Sequence, residues 1–399
     1  MDIFNSLYIS LVESLNILPP TIAILLVACA LLFIIQLYLR IFVWRVKKPK
    51  PLAVSLETPS ISVVVVLHEY DQSYIETTLI DILNQDYNPF EVVVVDCSYD
   101  EFINERLQII QQQFSHLRIT TIRKGSGFDN CEKLALNIGF KAAIYDNLLL
   151  TTSKCYPTSN KWIASMAQCF TDKTKQVVIG FSSIEPTKKF YNYFARCERL
   201  LWGMGYIGAA QKSKAYRGSR HNMAYTKDSY FNNKGFNHLN MNIGENDLFI
   251  QKITNSKNTV VNIAPEAQVK EFKFSSFGEM FDNDCFRSST RKMYPRGIKQ
   301  RINIELFSRT LFHAAMIALI ATLIIELTKG NLHIPIYIGV AAMIILRLVA
   351  VLTTAAKASR RLGEKGLVLF FILHDIVSPL YGFRVWSRRT FIHNRNVWR

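Results

Sequence analysis

The stretch from Thr21 to Tyr38 limits most strongly what this chain can fold into, because it is apolar throughout and carries no charged side chain. At a rise of ~1.5 Å per residue, such a helix crosses most of a hydrocarbon layer that is ~30 Å thick. A cleaved signal peptide is a poor alternative, since residues 1–16 contain acids instead of a basic region and no small-residue cleavage site follows. We predict a transmembrane helix over about residues 21–43, within an N-terminal segment of residues 1–50.

Two further apolar stretches lie near the other end of the chain, from Leu306 to Leu327 and from Ile334 to Thr353. They predict a transmembrane hairpin within residues 306–355. The 399 residues are 49% hydrophobic, and their mean hydropathy is positive. This composition exceeds that of an ordinary soluble domain. The chain is therefore predicted to be an integral membrane protein.

The basic residues predict how the chain is oriented. They follow the first apolar stretch at Arg40, Arg45, Lys47, Lys48 and Lys50, and follow the hairpin at Lys357, Arg360, Arg361 and Lys365. Because basic residues favour the cytoplasmic side, both clusters place the region between them in the cytoplasm. We expect the membrane itself to be a bacterial inner membrane. The net charge of +16 is thus explained by anionic headgroups, and nucleic acid is not an expected partner.

The C-terminal segment, residues 356–399, contains a fourth apolar piece, Gly366 to Phe383, whose relation to the membrane has two alternatives. It is short and carries His374, Asp375 and Pro379. Crossing would place several arginines on the far side of the membrane. We therefore favour an interfacial or re-entrant helix over a further transmembrane helix.

The seven cysteines show neither a CxxC pair nor the Cys/His spacing of a zinc site. Most of them fall in the region predicted to be cytoplasmic, where thiols stay reduced. The sequence therefore indicates neither disulfides nor a structural zinc ion.

Between the membrane segments, predicted strands and helices alternate. Strands are expected at residues 61–67, 91–96, 118–122 and 147–150, and helices at residues 73–85, 101–114 and 131–146. This alternation predicts βαβ units and an open, mostly parallel sheet. In such sheets ligands bind beyond the carboxyl ends of the strands, which places Asp96 and Thr152-Ser153-Lys154 at one cleft.

Eight short motifs occur in an order that resembles one known family. They are Ile61 to Val66, Asn84 to Tyr87, Glu91 to Ser98, Lys133 to Gly139, Leu149 to Pro157, His221 to Tyr225, Gly235-Phe236 and Gly244 to Leu248. Together they resemble the GT-A nucleotide-diphospho-sugar transferase domain of membrane-bound, processive-type family 2 glycosyltransferases. The resemblance implies an α/β fold for residues 58–274, followed by interfacial helices in residues 275–305.

The resemblance implies a donor site for a nucleotide sugar, but several of its positions differ here. Glu69 and Asp96 stand at or near the acids that hold the nucleoside, although the first match is partial. Lys133 lies one position beyond the missing Gly-Lys pair that supports the diphosphate, which reads Cys131-Glu132. Thr152 and Lys154 occupy the two metal-binding acid positions, and an ammonium there would repel a cation.

We therefore expect no metal at this site. Lys154 is either a surface lysine held in a salt bridge or a cation that replaces part of the metal's role in stabilising the leaving group.

On the acceptor side, Glu245 stands at the position of the family's general base and Asp247 at a supporting acid. A second interpretation is that both acids stabilise the start of a helix. His221 and Asn222 lie in the loop that resembles the one closing over the acceptor. Near the family's Gln-x-x-Arg-Trp signature, Arg287 is one position late. We expect its side chain, with those of Arg291 and Lys292, to turn toward the membrane.

These features favour an inverting transferase that moves a sugar from a nucleotide sugar to a lipid-linked or polysaccharide acceptor at the cytoplasmic face. Four donor-side motifs are altered: the one after the first strand, Cys131-Glu132, Thr152 to Lys154, and the Gln-x-x-Arg-Trp position at Asn283 to Phe286. They support an alternative, a noncatalytic relative that acts as a partner or regulator in a membrane glycan assembly complex. A scaffold unrelated to glycans is a third and less favoured interpretation.

Overall fold

The computed structural model describes residues 19–43, 45–48, 57–68, 72–122, 132–236, 244–331 and 334–392. Glu69 and Cys131, which the sequence places at the donor site, lie outside these ranges.

A seven-stranded sheet forms the centre of the domain. Its strands in chain order are β1 (Ile61–Leu67), β2 (Phe90–Asp96), β3 (Leu117–Thr121), β4 (Asn147–Leu150), β6 (Val177–Ile179), β8 (Met223–Thr226) and β9 (Thr259–Val261). Their order across the sheet is β3-β2-β1-β4-β8-β6-β9. Only β8 runs antiparallel to its neighbours. The predicted open, mostly parallel sheet is thus confirmed, and the first four strands lie within one residue of their predicted bounds.

Helix α1 (Pro20–Tyr38) precedes the domain and belongs to the membrane part. The helices that cover the two faces of the sheet are α2 (Gln72–Glu76), α3 (Thr78–Leu83), α4 (Glu101–Gln113), α5 (Glu132–Ala142), α6 (Trp162–Ala167), α7 (Phe190–Ala210), α8 (Lys227–Phe231) and α9 (Leu248–Ile253). Helix α5 packs closely on β1 and β2 because Gly139 has no side chain. A Cβ there would lie 2.7 Å from Val64 Cγ1 and 2.9 Å from Val95 Cγ2. This close packing fixes the start of α5 at the edge where the parallel strands end.

A second, three-stranded sheet borders the same edge. It contains β5 (Cys155–Pro157), β7 (Ser182–Ile184) and β10 (Val269–Glu271), with β10 in the middle. Strand β5 follows directly after Thr152 and Lys154, so the small sheet holds one wall of the cleft in place.

The rest of the chain is helical. Helix α10 (Phe277–Ser288) leads through a 3₁₀ turn, Ser289–Met293, to α11 (Arg296–Thr328), α12 (Ile334–Arg361) and α13 (Phe370–Ile392). Within the described residues, three helical segments are long and apolar enough to cross a membrane: Pro20–Val43, Arg296–Thr328 and Ile334–Arg361. The chain thus has the helices of a membrane protein, at the positions that the sequence predicts.

Helix α13 is the fourth apolar piece, and its two faces differ. Leu373, Ile376, Leu380 and Phe383 form an exposed apolar stripe, whereas His374, Asp375 and Tyr381 are buried against other helices. An exposed apolar stripe along one side suits a helix that lies at a membrane interface. The interfacial position of α13 remains a prediction.

Asp375 of α13 binds the membrane-spanning helices through two arginines. Its Oδ1 lies 2.6 Å from Arg40 Nη2, and its Oδ2 lies 2.6 Å from Arg347 Nη2 and 3.3 Å from His313 Nε2. Arg347 stands within a segment that is long and apolar enough to cross a membrane, where a charge is expensive in lipid, and it is 5% exposed because it faces protein. Four helical segments therefore meet at one carboxylate.

The change Asp375→Asn should destabilise the protein strongly, because it leaves two buried guanidinium groups without their counterion. Loss of one partner of a buried ion pair costs about 3–5 kcal/mol. Thermal unfolding in detergent measures the loss. Arg106→Gln is the control, since Arg106 pairs with Glu76 at 3.4 Å on the surface and should contribute about 0–1 kcal/mol. Equal effects of the two changes would contradict the assigned role of Asp375.

Candidate functional site

The carboxyl ends of β1, β2 and β4 meet at one edge of the sheet, as the parallel pairing requires. Asp96 ends β2 and is buried there. Its carboxylate accepts hydrogen bonds from the Ser98 backbone N–H at 3.0 Å, the Ser98 hydroxyl at 2.6 Å and Asn104 Nδ2 at 3.3 Å. Asp96 is therefore held in a fixed orientation at the edge of the cleft.

Thr152 and Lys154 follow β4 at the same edge. Thr152 is buried and Lys154 is exposed. The Lys154 carbonyl accepts a hydrogen bond from the Phe272 N–H at 2.9 Å, which ties this loop to the end of the small sheet. Among the residues that the structure describes, no group of three or more His, Cys, Asp or Glu side chains could hold a metal ion. Thr152 and Lys154, which the family resemblance aligns with two metal-binding acids, carry a hydroxyl and an ammonium group, and these do not suit a divalent cation.

His221 connects Thr152 to helix α10. Its Nδ1 lies 2.6 Å from Thr152 Oγ1, and its Nε2 lies 2.9 Å from Arg287 Nη2. A guanidinium can only donate, so Nε2 accepts and the imidazole proton is on Nδ1, which donates to Thr152. Burial, together with the charges of Arg287 and Arg220, holds the pKa of His221 well below its ordinary value. His221 is therefore neutral and has one tautomer.

Arg287 does not turn toward the membrane, so that expectation from the sequence is wrong. Its Nη2 also lies 3.2 Å from Glu271 Oε2, and Glu271 in turn pairs with Arg199. Arg291 faces the protein as well, with its guanidinium 5.2 Å from the centre of the Trp202 ring. Helix α10 follows the domain surface closely enough that a shift of one position still leaves Arg287 inside the cleft.

A second set of charges lies at the start of α5. Glu132 pairs with His68 Nε2 at 2.8 Å and with Arg220 Nη2 at 2.8 Å. Burial opposes ionisation of Glu132, but the charge of Arg220 and the hydrogen bond from His68 outweigh it and lower the pKa to about 2. Lys133, the neighbour that the sequence assigns to the diphosphate, is buried at 6% exposure. Its donor role remains a prediction.

Glu245 and Asp247 lie in different environments although only one residue separates them. Asp247 Oδ2 accepts hydrogen bonds from Thr290 at 2.5 Å and from Tyr294 at 2.7 Å, while its Oδ1 accepts from the Leu248 N–H that begins α9. Glu245 Oε2 is buried and has no hydrogen-bond partner among the residues that the structure describes. Burial raises the pKa of Glu245, and the charge of Arg220 partly offsets this.

The two acids therefore have separate roles. Asp247 stabilises a helix start and connects it to Thr290 and Tyr294, so the helix interpretation describes its contacts. Glu245 keeps a free carboxylate oxygen, as a general base requires.

Asn222 is occupied by structural contacts. Its side-chain amide donates to the carbonyls of Phe181 at 2.9 Å and Ala267 at 2.7 Å, and its oxygen accepts from the Trp162 indole N–H at 3.1 Å. The side chain is fully buried. The side chain is therefore engaged in structural contacts, and the acceptor-side roles of Asn222 and His221 remain predictions.

Four residues of this site were not identified from the sequence: Glu132 as an anchor, Arg220, Glu271 and Arg287. Arg220 had a signal, because it lies in the Arg217–Asn222 loop beside His221. Glu271 had none, since β10 is a short strand far away in the sequence.

The comparisons with known proteins agree with this architecture. Residues 62–252 match the family model described as Glycosyl transferase family 2. A solved mannosyltransferase from Pyrobaculum calidifontis, PcManGT, in complex with GDP-Man and Mn²⁺, is similar with a TM-score of 0.51 and 18% identity. The similarity covers 91% of this chain and 99% of that one. A structure of GalNAc-T7 with UDP, GalNAc and Mn²⁺ has a TM-score of 0.41 and 14% identity, over 63% of this chain and 55% of that one. No curated protein sequence matches the chain.

The sheet order, the position of the cleft and the family match define the class. The domain has the GT-A glycosyltransferase fold with a mostly parallel sheet. In the sequence, helices that can span a membrane precede and follow this domain. The matched region, 62–252, supports a family 2 glycosyltransferase domain.

Asn222→Ala should lower the free energy of unfolding by more than about 3 kcal/mol, because an indole N–H and two carbonyls lose their partners at about 1–3 kcal/mol each. Thermal unfolding in detergent tests this. The matched control is Asn233→Ala, whose side chain donates one hydrogen bond to the Ser229 carbonyl at 2.9 Å on the half-buried side of α8. A loss no larger than that of the control would mean that Asn222 is not a structural residue.

Proposed function

We propose that this protein is a membrane-bound glycosyltransferase of the inverting type. It takes a sugar from a nucleotide sugar and transfers it to a lipid-linked or polysaccharide acceptor. The observation that carries this proposal is Glu245, a buried carboxylate with an unpaired oxygen at the acceptor side of a GT-A cleft. A buried polar atom without a partner is costly, so its persistence here favours a role with a ligand.

Two more polar atoms without partners belong to residues near Glu245. Arg220 Nε lies 4.0 Å from Glu245 Oε1 and makes no hydrogen bond, and the Tyr225 hydroxyl makes none either. Burial raises the pKa of Tyr225, and the charges of Tyr230 and Glu245 raise it further. A carboxylate oxygen, a guanidinium Nε and a phenol hydroxyl, each without a hydrogen-bond partner among the described residues, suit an acceptor hydroxyl, which can both donate and accept.

In the proposed reaction, Glu245 takes the proton of the acceptor hydroxyl as its oxygen attacks the anomeric carbon. The bond between that carbon and the diphosphate oxygen breaks at the same time, and the nucleoside diphosphate leaves with the electron pair. Attack from the face opposite to the leaving group inverts the anomeric centre. Because the carboxylate is buried, it is a stronger base than an exposed one.

The leaving diphosphate needs positive charge, and the site offers it without a metal. Lys154 is exposed at the cleft, and its charge is one of those that lower the pKa of His221, after burial and three arginines. Arg287 reaches the same place from α10 through its contact with His221. We propose that Lys154 and Arg287 bind the diphosphate, that Asp96 binds the nucleoside, and that Thr152 with His221 orients the loop between them.

The membrane geometry supports a cytoplasmic position for the domain. Arg45, Lys47 and Lys48 follow the first membrane-spanning segment, and Arg360 and Arg361 end α12. Basic residues at the domain side of both segments favour the cytoplasmic face. We propose that the domain binds its donor there and meets its acceptor where α10 and α13 approach the membrane.

One observation favours a second candidate, a noncatalytic partner in glycan assembly. A continuous series of hydrogen bonds and ion pairs runs from Thr152 through His221 and Arg287 to Glu271, at the place proposed for the donor. If these contacts stay in place, this chain of contacts occupies the donor site itself. The two candidates therefore differ in whether a nucleotide opens the chain.

Calorimetric binding of UDP and GDP to the detergent-purified protein distinguishes them. We expect binding that does not require Mn²⁺ and that weakens roughly tenfold or more in Lys154→Ala and in Arg287→Ala, since each removes a charge-assisted hydrogen bond. Lys173→Ala, which alters an exposed lysine 4.0 Å from Glu57, is the control. Absence of binding by folded protein would support the noncatalytic partner.

Glu245→Gln should keep the nucleotide affinity and lower the transfer rate by about 10²–10⁴, because only proton removal from the acceptor is lost. The assay measures release of nucleoside diphosphate with glycolipid extracts as acceptors. Unchanged turnover in this variant would rule out Glu245 as the base.

A further inference from the structure

Glu132 lies where the family resemblance places a lysine that supports the diphosphate, so an acid replaces a base at this position. Its carboxylate is held between His68 and Arg220, with both distances at 2.8 Å. The Glu132 side chain is 19% exposed and that of Arg220 is 25% exposed, so water screens this pair only in part. Glu132 is therefore a fixed anchor for Arg220.

Arg220 lies between two acids but bonds only one of them. Its Nη2 pairs with Glu132, whereas its Nε remains 4.0 Å from Glu245 Oε1 and has no hydrogen-bond partner. A guanidinium usually forms a bidentate pair with a carboxylate when it can. The anchor at Glu132 explains why Arg220 does not do so with Glu245.

This spacing matters for a base. A guanidinium bonded directly to Glu245 would occupy its lone pairs and make it a weaker base. A guanidinium far from Glu245 would leave a buried carboxylate without a counterion, and the carboxylate would take up a proton instead. At 4.0 Å the positive charge favours the ionised form and still leaves Glu245 Oε2 without a hydrogen-bond partner among the described residues.

We propose that Glu132 is a positioning residue that holds Arg220 beside Glu245, close enough to keep Glu245 ionised but too far to bond it. The proposal rests on the proposed function for the identity of the base. The contacts themselves do not depend on catalysis.

The groups near Glu245 set the signs of two opposite predictions. Arg220 attracts its negative charge, Glu132 and Asp247 repel it, and Tyr225 stands nearby on β8. Glu132→Gln removes a repelling charge and also frees Arg220 to bond Glu245, and both effects lower the pKa of Glu245. Arg220→Gln removes the attracting charge and raises that pKa.

Infrared titration of protein labelled with carbon-13 glutamate in detergent follows the protonation of Glu245, and the band lost in Glu245→Gln identifies it. Each variant should change the ratio of protonated to ionised Glu245 by about tenfold or more, in opposite directions. Glu132→Asp, which keeps the charge, should restore part of the original titration. Arg118→Gln is the matched control: Arg118 pairs with the buried Glu91 at 2.7 Å, so this change should alter the Glu91 band and leave the Glu245 band unchanged.

Shifts in the same direction for Glu132→Gln and Arg220→Gln, or no shift in either, would overturn the proposal. The infrared readout needs no substrate, so it separates this result from the proposed function. If transfer is found, the apparent pKa of the base in kcat/KM should move up in Arg220→Gln and down in Glu132→Gln. If the two variants shift the Glu245 titration in opposite directions, as expected, but no transfer is found, the positioning role of Glu132 stands and only the catalytic role of Glu245 is lost.

Discussion

The arrangement of the helical part depends on the ion pairs that the Asp375 carboxylate makes with two arginines. The carboxylate binds Arg40 at the end of the first membrane-spanning segment and Arg347 within the third, both at 2.6 Å. An unpaired charge at such depth would be expensive, so these groups must stay together. The neighbouring His374 contacts Glu198 of α7 at 2.9 Å. Two adjacent residues of α13 thus join the membrane-spanning helices to the domain.

The same helix reaches the candidate site through α10. The Tyr381 hydroxyl donates to Asp284 at 2.6 Å, and Asp284 lies one turn before Arg287 on α10. Because α10 is a rigid helix, this contact helps to fix the rotation that brings Arg287 to His221. The orientation of Arg287 in the candidate site is therefore set partly by a residue of α13.

At two positions of the cleft, the charged residue that the family resemblance implies is replaced by one of the opposite charge. Lys154 stands at a position where the resemblance places an acid, and Glu132 stands where it places a lysine. Around them, Arg220 and Arg287 supply cations, and Glu271 and Glu245 supply carboxylates. Among the residues that the structure describes, no cluster of acids, histidines and cysteines could hold a metal ion, and cations at such a site can stabilise a diphosphate by hydrogen bonds. This is why metal-independent nucleotide binding is the decisive measurement.

The sequence by itself determined the architecture. Runs such as Val63 to Val66 favour buried strands, and long apolar stretches without charges favour membrane or core helices, so this part of the prediction needed only the local pattern. The strand pattern also placed Asp96, Thr152 and Lys154 at one edge, because the carboxyl ends of parallel strands meet there, whereas Glu245 was assigned from the family resemblance. Only the tertiary structure decided the partners. Arg287 meets His221 and Glu132 anchors Arg220 across large sequence separations, and the rotation of α10 depends on helix packing that no local pattern contains.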